Sequence, residues 1–159
     1  MAKRESSYWL MKSEPDVYSI DTLASERIGT WEGVRSYQAR NHMRAMKRGD
    51  LALFYHSSVV PPGVLGVMRI HREAYPDPTQ FDPSSPYYDD KSSPSAPRWD
   101  RVDVEFVEKL PRLVTLDELK GDPRFADMLV IRRGMRLSVQ PVAASDFKAI
   151  VASAKKKKR

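Results

Sequence analysis

Two apolar runs on either side of a Pro-Pro-Gly turn constrain the fold of this chain more than any other feature. Residues 51–55 (LALFY) and 64–70 (VLGVMRI) are rich in aliphatic and aromatic side chains and flank Pro61-Pro62-Gly63. Both runs are shorter than a typical buried helix and are bounded by turn residues, so they read as strands. Proline fixes φ and glycine permits a tight reversal, so the two are predicted to pair antiparallel. Gly66, inside the second run, is predicted to mark a bulge, a barrel corner or close approach by a ligand.

The other elements arrange themselves around that pair. Residues 8–12 (YWLMK) read as a first strand, stopped at Ser13-Glu14-Pro15 because proline cannot donate to a ladder. Ser19 is a natural N-cap for a short helix through Ile20, Leu23 and Ala24. Residues 27–33 read as loop. Over residues 36–47, Ala39, Met43 and Met46 recur at helical spacing, with Gly49 as the stop. Pro76, Pro78, Pro83, Pro86, Pro94 and Pro97 forbid a long helix or central strand across residues 75–97. That stretch is either an ordered functional loop or a flexible insertion, with Tyr75, Phe81, Tyr87 and Tyr88 available to pin parts of it.

Val102, Val104 and Phe106 alternate with Asp103 and Glu105 in a strand over residues 98–110. Thr115 caps a helix through Leu116 and Leu119, and Asp122-Pro123 opens another containing Phe125, Met128 and Leu129. Met135, Leu137 and Val139 alternate into a last strand, and Ser145 caps a terminal helix carrying Phe147, Ile150 and Val151. Strands do not alternate regularly with long helices, which argues against a doubly wound parallel sheet. The expected class is α+β: a small, strongly bent mixed sheet or barrel of five to six strands flanked by short helices.

Composition narrows the chemistry. The chain has 159 residues and no cysteine, which excludes disulfides, thiolate zinc sites and thiol catalysis. No apolar run is long enough to cross a bilayer, and the N-terminus turns polar too soon for a signal peptide. A soluble intracellular protein without a membrane partner is expected. The net charge of +6 is concentrated: Lys155-Lys156-Lys157-Lys158-Arg159 carries five of the 27 basic residues, leaving 22 against 21 acidic ones. The folded body, residues 1–154, is therefore nearly neutral, and residues 155–159 read as a basic disordered tail. The tail either touches nucleic-acid phosphates or only solubilises the end.

His42, His56 and His71 lack a metal-ligand spacing, so no metal site is expected. Ser13-Glu14 and His56-Ser57 offer a nucleophile, a base and a carboxylate. Adjacent strand residues point to opposite faces, however, and no phosphate-cradling glycine loop or nucleophile elbow is present. The serines equally read as caps of strand ends. Residues 30–41 (TWEGVRSYQARN) are more distinctive. Trp31 is followed by a glycine turn and then by Arg35, Tyr37, Gln38, Arg40 and Asn41, an aromatic surface beside planar hydrogen-bonding groups. Such equipment suits a flat polar ligand such as a nucleobase. The same window also reads as a surface loop, one buried tryptophan and the start of a polar helix. Trp31, Tyr55 and Trp99 would make an aromatic slot if they converged; each ring could equally be core filler.

Taken together, YWLMKSEP at 8–15, WEGVRSYQARN at 31–41, FYHS at 54–57, EAYPDPTQF at 73–81, RWDRVDVEFV at 98–107 and RLSVQP at 136–141 resemble the EVE-domain family of the thymocyte nuclear protein 1 type. This family belongs to the PUA-like superfamily and is related to YTH domains. The resemblance spans nearly the whole chain. It implies a PUA-like barrel and a non-catalytic pocket for a modified base, 5-methylcytosine or an oxidised form in DNA, or a methylated base in RNA. Carried over motif by motif, Trp31 with Tyr55 or Trp99 would stack on the base. Ser13, Asn41 and Ser57 would reach its edge, Lys12 and Arg35 would hold phosphate or a carbonyl, and Val34 and His56 would complete the wall. No cofactor is implied, the partner is nucleic acid, and a monomer is expected. The expected location is the cytoplasm for a bacterial chain and the nucleus for a eukaryotic one. The competing class is an enzyme acting on a base or nucleotide through Glu14, His56 and Ser57.

Overall fold

A computed structural model describes residues 7–156. In chain order the elements are β1 (Tyr8–Ser13), α1 (Ile20–Glu26), β2 (Ile28–Trp31), α2 (Tyr37–Ala45), β3 (Leu51–His56), β4 (Gly63–Pro76), β5 (Asp100–Thr115), α3 (Leu116–Lys120), β6 (Val139–Val142) and α4 (Ala144–Lys155). Short 3₁₀ turns occupy Pro78–Phe81, Pro123–Phe125 and Leu129–Ile131. The six strands form one mixed sheet, ordered β2-β5-β4-β3-β1-β6. β3 and β4 pair antiparallel as expected, β1 runs parallel to β3, and β6 closes antiparallel on β1. The class is α+β.

Alternation along β1 and β3 loads both faces of the sheet. Trp9, Met11, Ala52 and Phe54 join one core with Ile20 and Leu23 of α1 and Ala39 and Met43 of α2. Leu10, Leu53 and Tyr55 join a second core with Leu119, Phe147 and Ile150 from α3 and α4. The two central strands are therefore buried on both sides, which explains why they read as continuous apolar runs.

The sheet is strongly bent. β5 and β4 lie between β2 and β3 in the hydrogen-bonded order, which on a flat sheet would separate them by about 14 Å. Yet the ring centroids of Trp31 on β2 and Phe54 on β3 lie 5.2 Å apart, edge to face. Repeated register shifts along β4 and β5 supply the bending, each adding local twist. Gly66 sits at one of them, and a Cβ there would meet the Ile20 side chain at 2.3 Å. The bulge and the close approach are both real; the approaching group is α1, not a ligand.

Several local expectations are corrected. Residues 28–31 form edge strand β2 where loop was expected. Its four residues include Gly29, which weakens the strand signal but leaves room for the Tyr18 hydroxyl, 1.9 Å from where a Cβ would sit. Met46 takes extended dihedrals, so α2 ends at Ala45, one turn before the Gly49 stop. Residues 122–131 make only two 3₁₀ turns. The last strand starts at Val139, and Ser138 meets β1 through one bond from Lys12 N–H to its carbonyl. Ala143, not Ser145, is the N-cap of α4 and makes no side-chain cap. α4 also takes in Lys155, whose Nζ lies 3.6 Å from Glu108, and Lys156 is its C-cap; the rest of the basic tail, 157–159, lies outside the described residues.

Residues 77–99 are an ordered loop. Gln80 is fully buried and acts as its staple. Its amide donates to the carbonyls of Asp77 (2.7 Å) and Trp99 (2.8 Å), and its oxygen accepts from Ser92 Oγ and the Arg98 and Trp99 N–H groups. One side chain thus satisfies backbone groups at both ends of a proline-rich segment that cannot pair with itself.

Candidate functional site

A cavity of about 600 Å³ opens beside the end of β1, within the range typical of small-ligand sites. Its walls come from the end of β1 (Lys12, Ser13, Glu14), the approach to α1 (Val17, Tyr18), the end of β2 with the turn that follows (Thr30 to Arg35), Tyr87 and Ser138. Trp31 forms the aromatic wall. It is 6% exposed, packs edge-on against Phe54 and Tyr18, and its indole N–H has no acceptor among the described residues.

The turn after Trp31 is held open by a buried carboxylate. Asp77 is fully buried; Oδ2 accepts from Gly33 N–H at 2.9 Å and Arg35 Nη1 at 3.2 Å, and Oδ1 accepts from Thr79 N–H at 2.8 Å and Thr79 Oγ1. Burial pushes this carboxyl up, but the donors from Gly33 and Thr79 and the Arg35 charge outweigh it and hold it below the ordinary aspartate range. Gly33 has φ +83°, and a Cβ would meet the Tyr87 ring at 2.6 Å, so both backbone and space require glycine there. Arg35 spends all five guanidinium N–H groups on the protein. They go to Val34 O, Asp77, Thr79 Oγ1 and, from two nitrogens, Tyr87 O. The arginine expected to hold phosphate is a clamp between the turn and the 77–99 loop.

Lys12, Ser13, Trp31, Val34 and Arg35 therefore meet at one cavity, whereas Asn41, Tyr55, His56, Ser57 and Trp99 do not line it. The three-ring slot does not form. Tyr55 faces the second core, because it follows Phe54 on the strand and side chains alternate. Trp99 stacks on Tyr37 with centroids 4.8 Å apart, donates its indole N–H to Asp89 at 2.8 Å, and lies behind the Arg35 guanidinium. Asn41 is exposed on α2, its oxygen accepting from Arg40. His56 Nε2 accepts from Ile20 N–H at 3.3 Å, so the imidazole serves the start of α1 as a neutral acceptor. Burial, partly opposed by Asp21 and assisted by Lys109, holds its pKa below the ordinary histidine value. Ser57 N–H bonds Ser13 O at 2.9 Å, and it is Ser58 that donates to Glu14 Oε1, at 3.0 Å. Among the described residues no hydrogen bond joins His56 to Ser57, and no group of histidines and carboxylates is arranged to hold a metal.

The cavity's polar groups are hydroxyls and carboxylates more than cations. Ser13 Oγ gives its proton to Tyr18 O at 2.8 Å and keeps its lone pairs. Glu14, Glu26 and Glu32 stand on the rim; Tyr18 O–H donates to Glu26 at 2.8 Å, and Glu32 pairs with Arg101 at 2.9 Å. Burial and the Glu26 contact raise the Tyr18 pKa, keeping the phenol protonated. Lys12 Nζ donates to Met135 O at 3.4 Å, and burial lowers its pKa. Such a rim can accept hydrogen bonds from exocyclic amino and ring N–H groups beside an aromatic wall.

Asp77, Tyr18 and Tyr87 were not foreseen at the site, and Glu14, expected only under the enzyme reading, is on the cavity rim. Asp77 has a legible signal: an acid between two prolines with threonine two residues on, the pattern of a side-chain-closed turn.

Known proteins place the chain. Mouse thymocyte nuclear protein 1 is 44% identical over 169 aligned residues, covering 94% of this chain and 74% of its own length. The human THYN1 protein, solved in complex with 5-methylcytosine containing DNA, superposes with a TM-score of 0.89 at 42% identity, covering 96% of this chain and 100% of that one. A YTH domain from Zygosaccharomyces rouxii superposes at TM-score 0.55 with 15% identity over 99% and 92% of the two chains, a likeness of fold alone. The EVE domain family matches residues 7–153, and with the likeness to thymocyte nuclear protein 1 over 94% of this chain it shows that this chain belongs to the EVE-domain family.

Proposed function

We propose that this protein is a non-catalytic reader of a modified nucleobase in nucleic acid, with 5-methylcytosine in DNA as the leading ligand. The observation that carries the reading is Trp31, an aromatic wall on a base-sized cavity whose indole N–H has no acceptor among the described residues. A relative solved with 5-methylcytosine containing DNA at 42% identity supports it. The base enters unstacked, from a single strand or flipped from a duplex. It rests on Trp31 and Val34, with Ser13, Thr30, Ser138 and the rim carboxylates at its polar edge. Tyr55 and Trp99 lie elsewhere, so the rings that can accompany Trp31 are Tyr18 and Tyr87, which line the same cavity.

Magnitudes decide what the methyl group can do. Flipping a base costs a few kcal/mol, and burying one methyl returns only about 0.8 kcal/mol. Stacking, worth about 1–3 kcal/mol per base, and edge hydrogen bonds must therefore carry binding. Discrimination against the unmodified base is expected at about 1–3 kcal/mol. With Arg35 paired to Asp77 and Glu32 to Arg101, Glu14 and Glu26 outnumber the Lys12 ammonium and disfavour an anionic base, so 5-carboxylcytosine is expected to bind weakest among the oxidised forms.

The test is an affinity panel of short oligonucleotides, methylated, oxidised and plain, at fixed salt, with the parent, Trp31→Ala and Trp31→Phe. Trp31→Ala is expected to abolish the preference for the modified base. Trp31→Phe guards against misfolding and is expected to keep part of it. A folded Trp31→Ala variant that prefers the methylated strand as strongly as the parent would remove the reading's centre.

A further inference from the structure

The cavity explains how a base is held but not where the strand that carries it runs. The rim is a poor cationic bed for that strand: its arginine is spent within the protein, Lys12 Nζ is engaged by Met135 O, and Glu14 and Glu26 add negative charge there. The free positive charge lies next door. A second groove, of about 450 Å³, runs between Ser36 and Gln38 at the start of α2 and the segment from Arg132 to Leu137. Arg132, Arg133 and Arg136 are all exposed, and none has an ion pair or hydrogen bond from its side chain among the described residues. Six other arginines, Arg35, Arg44, Arg69, Arg101, Arg112 and Arg124, are each paired with a carboxylate, and Arg27, Arg40 and Arg72 lie over aromatic rings; what sets the groove apart is three exposed arginines within five residues beside the cavity.

This groove adjoins the cavity. Met135 O accepts from Lys12 Nζ, a cavity residue, and Ser138, just past the arginine segment, is itself on the cavity wall. On the other side, Ser36 follows Arg35 directly. Gly134, at φ +74° with nothing within 4 Å of a would-be Cβ, makes the turn that spreads the three side chains.

We propose that Arg132, Arg133 and Arg136 form a phosphate platform that binds the backbone of the strand flanking the base in the cavity, and that the strand leaves over this groove because the cavity rim itself carries carboxylates. The proposal rests on the base-reader reading for its geometry. Guanidinium groups suit the task, since their forked donors match phosphate oxygens. Phosphate contacts position a strand and carry no sequence information, so the platform sets affinity and salt dependence while the cavity sets preference.

The experiment measures binding of a fluorescent single-stranded DNA with one 5-methylcytosine, and of its unmethylated twin, across a salt series. Proteins are the parent, Arg132→Gln/Arg133→Gln/Arg136→Gln, and the same three positions changed to Lys. Each neutralised single-strand phosphate contributes about 0.7 to the slope of log affinity against log salt. The glutamine variant is expected to lose about two units of slope, so that the parent's affinity falls about twentyfold more than the variant's between about 50 and 200 mM salt. The lysine variant is expected to keep most of the slope, and the methylated-to-plain ratio should hold in all three. An unchanged slope in the glutamine variant overturns the platform while a methyl preference in the parent leaves the reader reading standing. A parent without methyl preference whose slope still depends on the arginines overturns the reader reading and keeps the platform. A glutamine variant that loses the methyl preference but not the slope overturns the division of labour proposed, and a parent that binds neither strand overturns both.

Discussion

Two tryptophans with the same exposure, 6% each, stand in opposite kinds of surroundings. Trp99 is tied down: Tyr37 stacks on it, Asp89 accepts its N–H, Gln80 bonds its backbone on both sides, and the Arg35 guanidinium lies over its ring. Trp31 meets other rings edge to face and, among the described residues, its N–H has no acceptor. Burial alone cannot tell a ligand wall from a structural pin; hydrogen-bond accounting can. A buried ring whose polar handle is satisfied has finished its work within the fold, whereas one whose handle is free at a cavity has binding capacity left.

That contrast can be broken at the hinge between the two regions. Asp77→Ala is expected to have the largest effect. It strands the N–H groups of Gly33 and Thr79 and the Arg35 charge, and it uncouples the Trp31 turn from the Trp99 loop. A loss of about 3–5 kcal/mol in urea unfolding is expected. The same residue has a pH signature. Its carboxyl is held below the ordinary aspartate value, so its contribution is complete above that value and is lost as pH falls through the lowered one. Parent stability should drop steeply in that acid window, and Asp77→Asn should flatten the drop.

Gly33→Ala comes next. The left-handed backbone costs a non-glycine residue about 1–2 kcal/mol, and the added methyl must displace Tyr87. Lower stability together with weaker oligonucleotide binding is expected; a variant as stable and as tight as the parent would show that the turn does not shape the cavity. A smaller effect sharpens the tryptophan contrast directly. Trp31→Phe removes the free N–H and should weaken modified-base binding by about 0.5–1.5 kcal/mol, the net worth of one hydrogen bond. Trp99→Phe should leave the base preference unchanged and show only in unfolding. Equal losses of preference in both variants would erase the distinction.

The smallest expected effect concerns His56, on the same face as Trp31 but outside the cavity. Its folded pKa is lowered, so its contribution is intact above the ordinary histidine value and is lost as pH falls below it, when protonation removes the acceptor for Ile20 N–H. A shallow decline in stability below about pH 6.5 is expected in the parent and should be absent in His56→Gln. Methyl preference measured at neutral pH should not respond.

Much of this molecule can be read from particular residues. The hairpin built from LALFY and VLGVMRI, the Ser19 and Thr115 caps, and the α+β class all follow from local pattern. The family is legible too, because WEGVRSYQARN, EAYPDPTQF and FYHS fall where the fold needs a turn, a clamp and a strand end. Half of the expected site residues do line the cavity: Lys12, Ser13, Trp31, Val34 and Arg35. All five come from the end of β1 or from the end of β2 and the turn that follows it, two segments that the bent sheet brings together.

What local pattern cannot supply is the direction a side chain takes once the sheet bends, or which donors it has already spent. Tyr55 was lost to the second core by one step of strand alternation, and Trp99 and Arg35 by partners drawn from a proline-rich loop. The sequence by itself determined the elements, their apolar faces and the residue types available for a flat ligand, because those depend on neighbours along the chain. Only the tertiary structure decided that one tryptophan is free and another committed, and that an arginine expected at the ligand is a clamp. Those outcomes depend on hydrogen bonds such as Asp77 to Gly33 and Arg35 to Tyr87, whose partners lie 44 and 52 residues apart.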